Sequence, residues 1–228
     1  MQLTLVAKKG ETNDTTSFIF ESAAPLTWRA GQFLRYALPH ADPDDRQTSR
    51  YFTVASAPFE GVVMLTTRFM REGGSSFKRA LQDISPGARV EVGQPAGDFV
   101  VDDPSAEYVF IAGGIGITPY RAILLDLDHR GLPINATLLY ANRSAEFVYQ
   151  GEIDAVASRH PRLRMRYFVA PERITEEAIR TAARDLRTRV FYISGPEPMV
   201  EALERTLAEM GVPDAHVKRD YFPGYDWP

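Results

Sequence analysis

Residues 108–130 read YVFIAGGIGITPYRAILLDLDHR and decide the interpretation of the chain. The run YVFIA is typical of a buried strand, and TPYRAILLDLDHR, with Pro119 in its first turn, is typical of a helix. Glycines fill the turn between them, at 113, 114 and 116. Glycine lets backbone approach a diphosphate closely, and a helix N-terminus presents N–H groups and a positive dipole to it. The stretch therefore predicts a strand, turn and helix that bind a dinucleotide.

An alternative explanation of this turn stays open. Pro119 stands where the usual dinucleotide fingerprint has a third glycine, which weakens the simple Rossmann interpretation. The glycines could serve tight packing alone.

The residues after this turn continue as strands alternating with helices. That alternation predicts a doubly wound α/β fold, a parallel sheet covered on both faces, with ligands at the carboxyl ends of its strands. The predicted strands are 134–142, 163–170, 190–195 and 216–222, and the predicted further helices are 145–159, 174–186 and 196–210.

The residues before the turn follow a different period. Short segments alternate apolar and polar residues and are rich in β-branched and aromatic side chains, which predicts an antiparallel β-barrel or sandwich. One helix, 75–84, interrupts them, with Ser75 or Ser76 as its N-cap. The predicted strands are 2–8, 16–22, 32–38, 51–56, 62–69 and 88–93. The expected domains are 1–101 and 104–228, joined at a polar linker.

Composition excludes several classes of function. The net charge of −4 argues against nucleic-acid binding. The 228 residues include no cysteine, which excludes disulfides and a Cys-bound iron–sulfur cluster in this chain. Four histidines without metal-ligand spacing predict no metal site. No run approaches the ~18 apolar residues of a membrane span, and no targeting pattern is visible, so a cytoplasmic location is expected.

Motifs in both halves resemble those of the ferredoxin–NADP reductase superfamily. In the second half these are the glycine turn 114–119 and the segment Ser194-Gly195-Pro196-Glu197-Pro198-Met199. In the first half the similar segments are Gly31-Gln32-Phe33, Arg50-Tyr51-Phe52-Thr53, Ser56-Ala57-Pro58, Gly73-Gly74-Ser75-Ser76 and 87–99. The resemblance implies an FAD-binding barrel followed by an NAD(P)-binding domain.

The resemblance also implies roles for residues of the barrel. Arg50 and the backbone N–H groups of Ser75 and Ser76 would bind the FAD diphosphate. Phe52 stands where the family has a Tyr that packs on the isoalloxazine, and Thr53 matches a hydroxyl residue near flavin N5. Tyr51, Gly73 and Gly74 belong to the same motifs.

In the second half the resemblance implies that Gly114, Gly116 and Thr118, with Pro119, face the diphosphate of NADH or NADPH. Ser194, where many members have Cys, would lie near the nicotinamide, unless it only caps the following helix. Gly195, Pro196 and Met199 complete that motif.

The aromatic residue that covers the flavin and the preferred coenzyme both stay open. The C-terminal segment places Phe222 and Tyr225 as candidates for the covering ring. Arg143 is a candidate for the 2′-phosphate of NADPH, but its turn resembles that of NADH-using relatives.

The implied function is an FAD-dependent NAD(P)H oxidoreductase that passes electrons to a ferredoxin, an oxygenase component or a small-molecule acceptor. The alternatives are a reductase of diffusible flavin and a non-catalytic redox-sensing module.

Overall fold

The computed structural model describes residues 1–70 and 74–222. By its internal contacts the chain divides into two compact units, Met1–Val100 and Val101–Pro228. Each unit has its own sheet and its own apolar core.

The first unit is built on an antiparallel sheet, as its alternating sequence predicts. The described residues form six strands in the order β4-β3-β6-β1-β2-β5. The N–H of Ala55, just after β4, donates to the carbonyl of Met64 in β5 at 2.8 Å, so the two ends of this order come together. The strands are β1 (Gln2–Thr12), β2 (Thr15–Ser22), β3 (Phe33–Ala37), β4 (Ser49–Thr53), β5 (Val63–Arg68) and β6 (Arg89–Val92).

Helix α1 (Ser76–Asp83) covers part of this core. Ser75 is the N-cap, and its hydroxyl accepts the N–H of Lys78 at 3.3 Å. Phe77 and Leu81, one turn apart, are fully buried in the core, as their spacing predicts.

The second unit is the predicted doubly wound α/β domain. Its described residues form five strands, all parallel, in the order β11-β10-β7-β8-β9. The strands are β7 (Tyr108–Gly113), β8 (Ala136–Asn142), β9 (Arg164–Val169), β10 (Val190–Pro196) and β11 (Val217–Phe222). The helices are α2 (Thr118–His129), α3 (Gln150–Arg159), α4 (Glu176–Ala183) and α5 (Glu197–Glu209).

The strand order reverses at β7, which lies between β8 and β10. The carboxyl ends of β7 and β10 carry the glycine turn and the segment 194–199, and ligands of open parallel sheets bind at such a reversal. The fold thus brings together the two motifs that the sequence predicts to act together.

Helix α3 begins five residues later than the sequence pattern predicts, at Gln150 instead of 145. Tyr149 has a left-handed backbone, with φ of 63°, which a helix cannot include. Phe147 packs instead edge-on against Tyr140 and Tyr167, with ring centroids 4.9 and 4.8 Å away. This tertiary contact outweighs the local helical pattern.

Candidate functional site

Arg50 lies in β4 with only 9% of its surface exposed, and its guanidinium is held by several acceptors. Nη1 lies 2.7 to 2.8 Å from the carbonyl oxygens of Arg46, Gln47 and Ser49. Nη2 forms an ion pair with the carboxylate of Asp44. The local chain thus fixes the cation in one orientation, as a planar guanidinium allows.

Asp44 joins this arginine to the start of α1. Its Oδ2 accepts the backbone N–H of Ser76 at 3.0 Å, while its own N–H donates to Ser76 Oγ at 2.9 Å. Burial raises the pKa of the Asp44 carboxyl, but hydrogen bonds from Arg50, Ser76 and Arg46 outweigh burial and lower the pKa to about 2. The carboxylate is therefore ionised at neutral pH.

The arrangement fits an anionic group such as a phosphate. Arg50 and the Ser76 N–H, which the sequence predicts to bind one diphosphate, converge on a single carboxylate that stands in for it. Among the described residues, the buried Nε of Arg50 has no hydrogen-bond acceptor. A guanidinium nitrogen and a helix N-terminus facing one anion are the donors that a phosphate needs.

The other residues of the β4 motif differ in exposure. Phe52 is half-buried and packs on Tyr36 and Phe77, with ring centroids 5.8 and 5.7 Å away. Thr53 is buried. Tyr51 is 66% exposed and meets only the edge of Phe33 among the ring contacts of the described residues. The flavin roles of these three residues stay predictions.

The glycine turn is packed tightly against β10. A Cβ on Gly116 would lie 2.2 Å from the carbonyl oxygen of Ser194 and 2.7 Å from the N of Gly195. A Cβ on Gly113 would lie 2.2 Å from Met199 Sδ. Packing alone therefore requires glycine at 116, where the neighbouring atoms are backbone, whereas at 113 the Met199 side chain would have to shift. The alternative explanation of the turn accounts for Gly116. Tight packing and dinucleotide binding can both explain the glycines, because the packing also places the turn where the strand order reverses.

Gly114 and the residues that follow it start α2. Gly114 has φ of 53°, a left-handed conformation that favours glycine, and Gly114–Ile117 form a 3-10 turn. The Thr118 hydroxyl donates to the carbonyl of Ile115 at 3.1 Å and is buried, and Pro119 lies in the first turn of α2 as predicted. Thr118 thus holds the turn itself.

Ser194 is fully buried in β10, and its hydroxyl donates to Asp220 Oδ2 in β11 at 3.4 Å. The N-cap of α5 is Pro196, with no side-chain cap. The alternative that Ser194 caps this helix is therefore wrong, because its hydroxyl is directed to the neighbouring strand. A Cβ on Gly195 would lie 3.2 Å from the Cα of Gly113, and Met199 is buried in the core.

Arg143 directly follows β8 and is exposed. It lies at the carboxyl edge of the parallel sheet, where a nucleotide ribose is expected. The preceding Asn142 is buried and donates to the carbonyl of Glu146 at 2.8 Å, which holds the loop that presents Arg143.

Three predicted site residues are not described in full. Gly73 and Tyr225 lie outside the described residues. The backbone of Phe222 pairs with Pro196 at the end of β11, and its side chain lies outside the description.

Sequence reasoning missed Asp44. The available signal was an acidic residue in a turn-rich segment, PHADPDDRQT, six residues before the predicted phosphate-binding arginine. Its contact with Ser76 spans 32 residues and has no local signature.

In the ranges 1–70 and 74–222, no group of His, Cys, Asp or Glu side chains is placed to hold a metal ion. Within the same ranges, none of the helices has both the length and the apolar character needed to cross a membrane.

Comparison with known proteins agrees with this description. Residues 110–205 match the family model of the oxidoreductase NAD-binding domain. The chain is 34% identical over 140 residues to the reductase component of phenol 2-monooxygenase from Pseudomonas sp. strain CF600, covering 60% of this chain and 38% of that protein. It is 28% identical over 225 residues to the ferredoxin reductase component of 3-ketosteroid-9-alpha-monooxygenase from Mycolicibacterium smegmatis, covering 93% of this chain and 62% of that protein.

Both relatives are longer, and the chain spans less than two thirds of either. Among solved structures, the FAD/NAD-binding domain of nitric oxide dioxygenase from Vibrio cholerae shares the fold over 97% of this chain and 98% of its own, with a TM-score of 0.80 and 21% identity. The domain match and the sequence relatives agree with the resemblance to the ferredoxin–NADP reductase superfamily, and the two-unit fold is shared with the Vibrio cholerae domain.

Proposed function

We propose that the chain is an FAD-dependent NAD(P)H oxidoreductase. It takes hydride from NADH or NADPH onto FAD and passes electrons to a separate acceptor. The observation that supports this most directly is the convergence of Arg50 and the Ser76 N–H on one anion, in a chain that also carries an oxidoreductase NAD-binding domain. The proposal assigns FAD binding to 1–101 and NAD(P) binding to 104–228.

The proposed acceptor is a protein, either a ferredoxin or an oxygenase component. Two of the relatives are named as reductase components of monooxygenases, and one of these as a ferredoxin reductase component. A small-molecule acceptor is the alternative. The proposal assigns the activity to the cytoplasm, where reduced nicotinamide coenzymes are available.

The protein's part in this reaction is binding and orientation. Bound FAD supplies the chemistry that lets a two-electron donor serve a one-electron acceptor. Arg50 and the start of α1 would hold its diphosphate, and Phe52 would offer an apolar surface to the ring. In the second unit, the N–H groups at the start of α2 would hold the coenzyme diphosphate, and Ser194 would help to orient the nicotinamide.

A second candidate is a reductase for which flavin is a diffusing substrate. The observation that favours it is that Asp44 already occupies the donors of Arg50 and Ser76. A flavin that must displace a carboxylate is held less firmly than one that enters an open site.

The test is to desalt the purified protein, denature it and identify any released flavin by chromatography. Retained FAD that passes electrons from NAD(P)H to an added ferredoxin is the expected result. Protein without flavin that still reduces added flavin supports the second candidate. Retained FAD that neither coenzyme reduces contradicts both.

A further inference from the structure

We propose that Asp44 is an internal competitor of the FAD diphosphate, and that the segment 39–48 must leave Arg50 and Ser76 before FAD binds. The inference rests on the proposed function for the identity of the ligand. It concerns how that ligand enters its site, and it names a residue that the family motifs do not include.

The first support is the pairing of the carboxylate oxygens. Oδ1 of Asp44 pairs with Arg50 Nη2, and Oδ2 accepts the Ser76 N–H at 3.0 Å. Each oxygen thus takes one of the two donors expected to bind phosphate oxygens. A carboxylate and a phosphate cannot bind the same donors together, because their negative charges repel each other and each N–H group would have to serve two acceptors. The two anions therefore exclude each other.

The second support is that Arg50 retains a donor for a larger anion. The Arg50 side chain is about nine-tenths buried, and its buried Nε has no acceptor among the described residues. A buried donor without an acceptor is costly. A monoanionic carboxylate leaves this donor unused, whereas a diphosphate has further oxygens to reach it.

The third support is that one serine hydroxyl holds both Asp44 and His40 of this segment at the start of α1. Ser76 Oγ accepts the Asp44 N–H and lies 2.9 Å from His40 Nε2. His40 Nδ1 faces the carbonyl of Leu38 at 2.7 Å, so we assign the proton to Nδ1 and the acceptor role to Nε2. The Ser76 hydroxyl therefore donates to His40 while it accepts from Asp44, and its loss would release both contacts.

The backbone of the segment also favours release. Asp42 and Gln47, on either side of Asp44, have φ of 49° and 60°. Non-glycine residues adopt this left-handed conformation at a free-energy cost, which Asp tolerates better than Gln. Both residues are exposed, so solvent can accommodate the segment in another conformation.

The consequence is a cofactor site that is closed by its own chain in the absence of flavin. The observed affinity for FAD is then the affinity of the open site reduced by the fraction of molecules in which the segment is displaced. Removing the carboxylate raises that fraction.

The experiment compares Asp44→Asn with the unchanged protein and with Asp45→Asn, a matched control in the same segment whose side chain is exposed. FAD is removed from each protein, and its rebinding is followed by flavin fluorescence in equilibrium and stopped-flow titrations. We expect Asp44→Asn to bind FAD about tenfold more tightly, with faster association, and Asp45→Asn to match the unchanged protein. Equal or weaker binding by Asp44→Asn overturns the inference.

Ser76→Ala provides a second variant, because it removes the hydroxyl that holds the segment and keeps the N–H that binds the anion. It should also bind FAD more tightly, and a folded Ser76→Ala protein with weakened binding counts against the inference. Circular dichroism verifies the fold of each variant.

Calorimetry with inorganic diphosphate separates this inference from the proposed function. If no variant binds FAD but Asp44→Asn binds diphosphate more tightly than the unchanged protein, the proposed function fails and the competition by Asp44 stands. If Asp44→Asn gains affinity for neither ligand, the competition is refuted.

Discussion

The backbone N–H of Ser76 donates to Asp44 Oδ2 at 3.0 Å, and this bond joins the start of α1 to the segment before β4. The same carboxylate pairs with Arg50 in β4. The contact therefore links three parts of the first unit through one anion. Because the linking anion belongs to the chain, we expect the Asp44 carboxylate to stabilise the flavin-free fold and to weaken cofactor binding.

We expect Asp44→Asn to lower the free energy of unfolding of the flavin-free protein by about 1–2 kcal/mol at pH 7. The Asp44 pKa is about 2 in the folded protein, below the usual value of 3.8, so its contribution is present above pH 4 and is lost as the pH falls toward 2. The difference between the two proteins should therefore shrink with acidification. Urea unfolding at pH 7 and pH 3 measures it, and a difference that is constant with pH would refute this role.

Arg50→Lys should weaken both stability and FAD binding, although it keeps the charge. A single ammonium cannot reach the carbonyls of Arg46, Gln47 and Ser49 together with a carboxylate or phosphate. We expect a loss of about 1–3 kcal/mol in unfolding free energy and about tenfold in FAD affinity. Arg46→Lys, whose side chain is exposed, is the control, and equal effects of the two substitutions would contradict this account.

Gly116→Ala should destabilise the second unit by more than about 3 kcal/mol or prevent its folding. The new Cβ would lie 2.2 Å from the Ser194 carbonyl oxygen, and backbone cannot move aside cheaply. Gly151→Ala in α3 is the matched control, because nothing lies within 4 Å of its Cβ. It should stabilise the helix by about 0.5–1 kcal/mol. Thermal unfolding of both variants measures the contrast, and a stable Gly116→Ala protein would show that the turn is not tightly packed.

Much of the fold could be predicted from the sequence because burial follows the local period. In β2, Phe18 and Phe20 lie on either side of the half-buried Ile19, and both reach the core. The start of α3 could not be predicted in this way. It depends on the contacts of Phe147 with Tyr140 and Tyr167, which lie on two neighbouring strands.

The candidate site, like the fold, could be predicted only in part from the sequence. Motif resemblance indicated Arg50 and Ser76 as partners of one anion, and the structure brings both to one carboxylate. It could not indicate that Asp44 supplies this anion, because the turn that directs it has no periodic pattern. Nor could it indicate that Ser194 is the neighbour that requires glycine at 116, since this contact depends on packing between distant segments.

Coenzyme preference depends on Arg143 if a 2′-phosphate is recognised at the edge of β8. We expect Arg143→Ala to raise the KM for NADPH about tenfold or more and to change the KM for NADH less than about threefold, since only NADPH loses a charge-assisted contact. Arg130→Ala, another exposed arginine of this unit, is the control. Steady-state kinetics with both coenzymes tests this, and equal changes in the two KM values would exclude Arg143 as the phosphate ligand.

In the proposed function, one chain binds FAD and reduces it with a nicotinamide coenzyme. The most direct measurement is the visible spectrum of the FAD-loaded protein during anaerobic titration with NADH and then NADPH. We expect one equivalent of the preferred coenzyme to bleach the flavin band and an added acceptor protein to restore it. Flavin that stays oxidised with an excess of both coenzymes would contradict the claim.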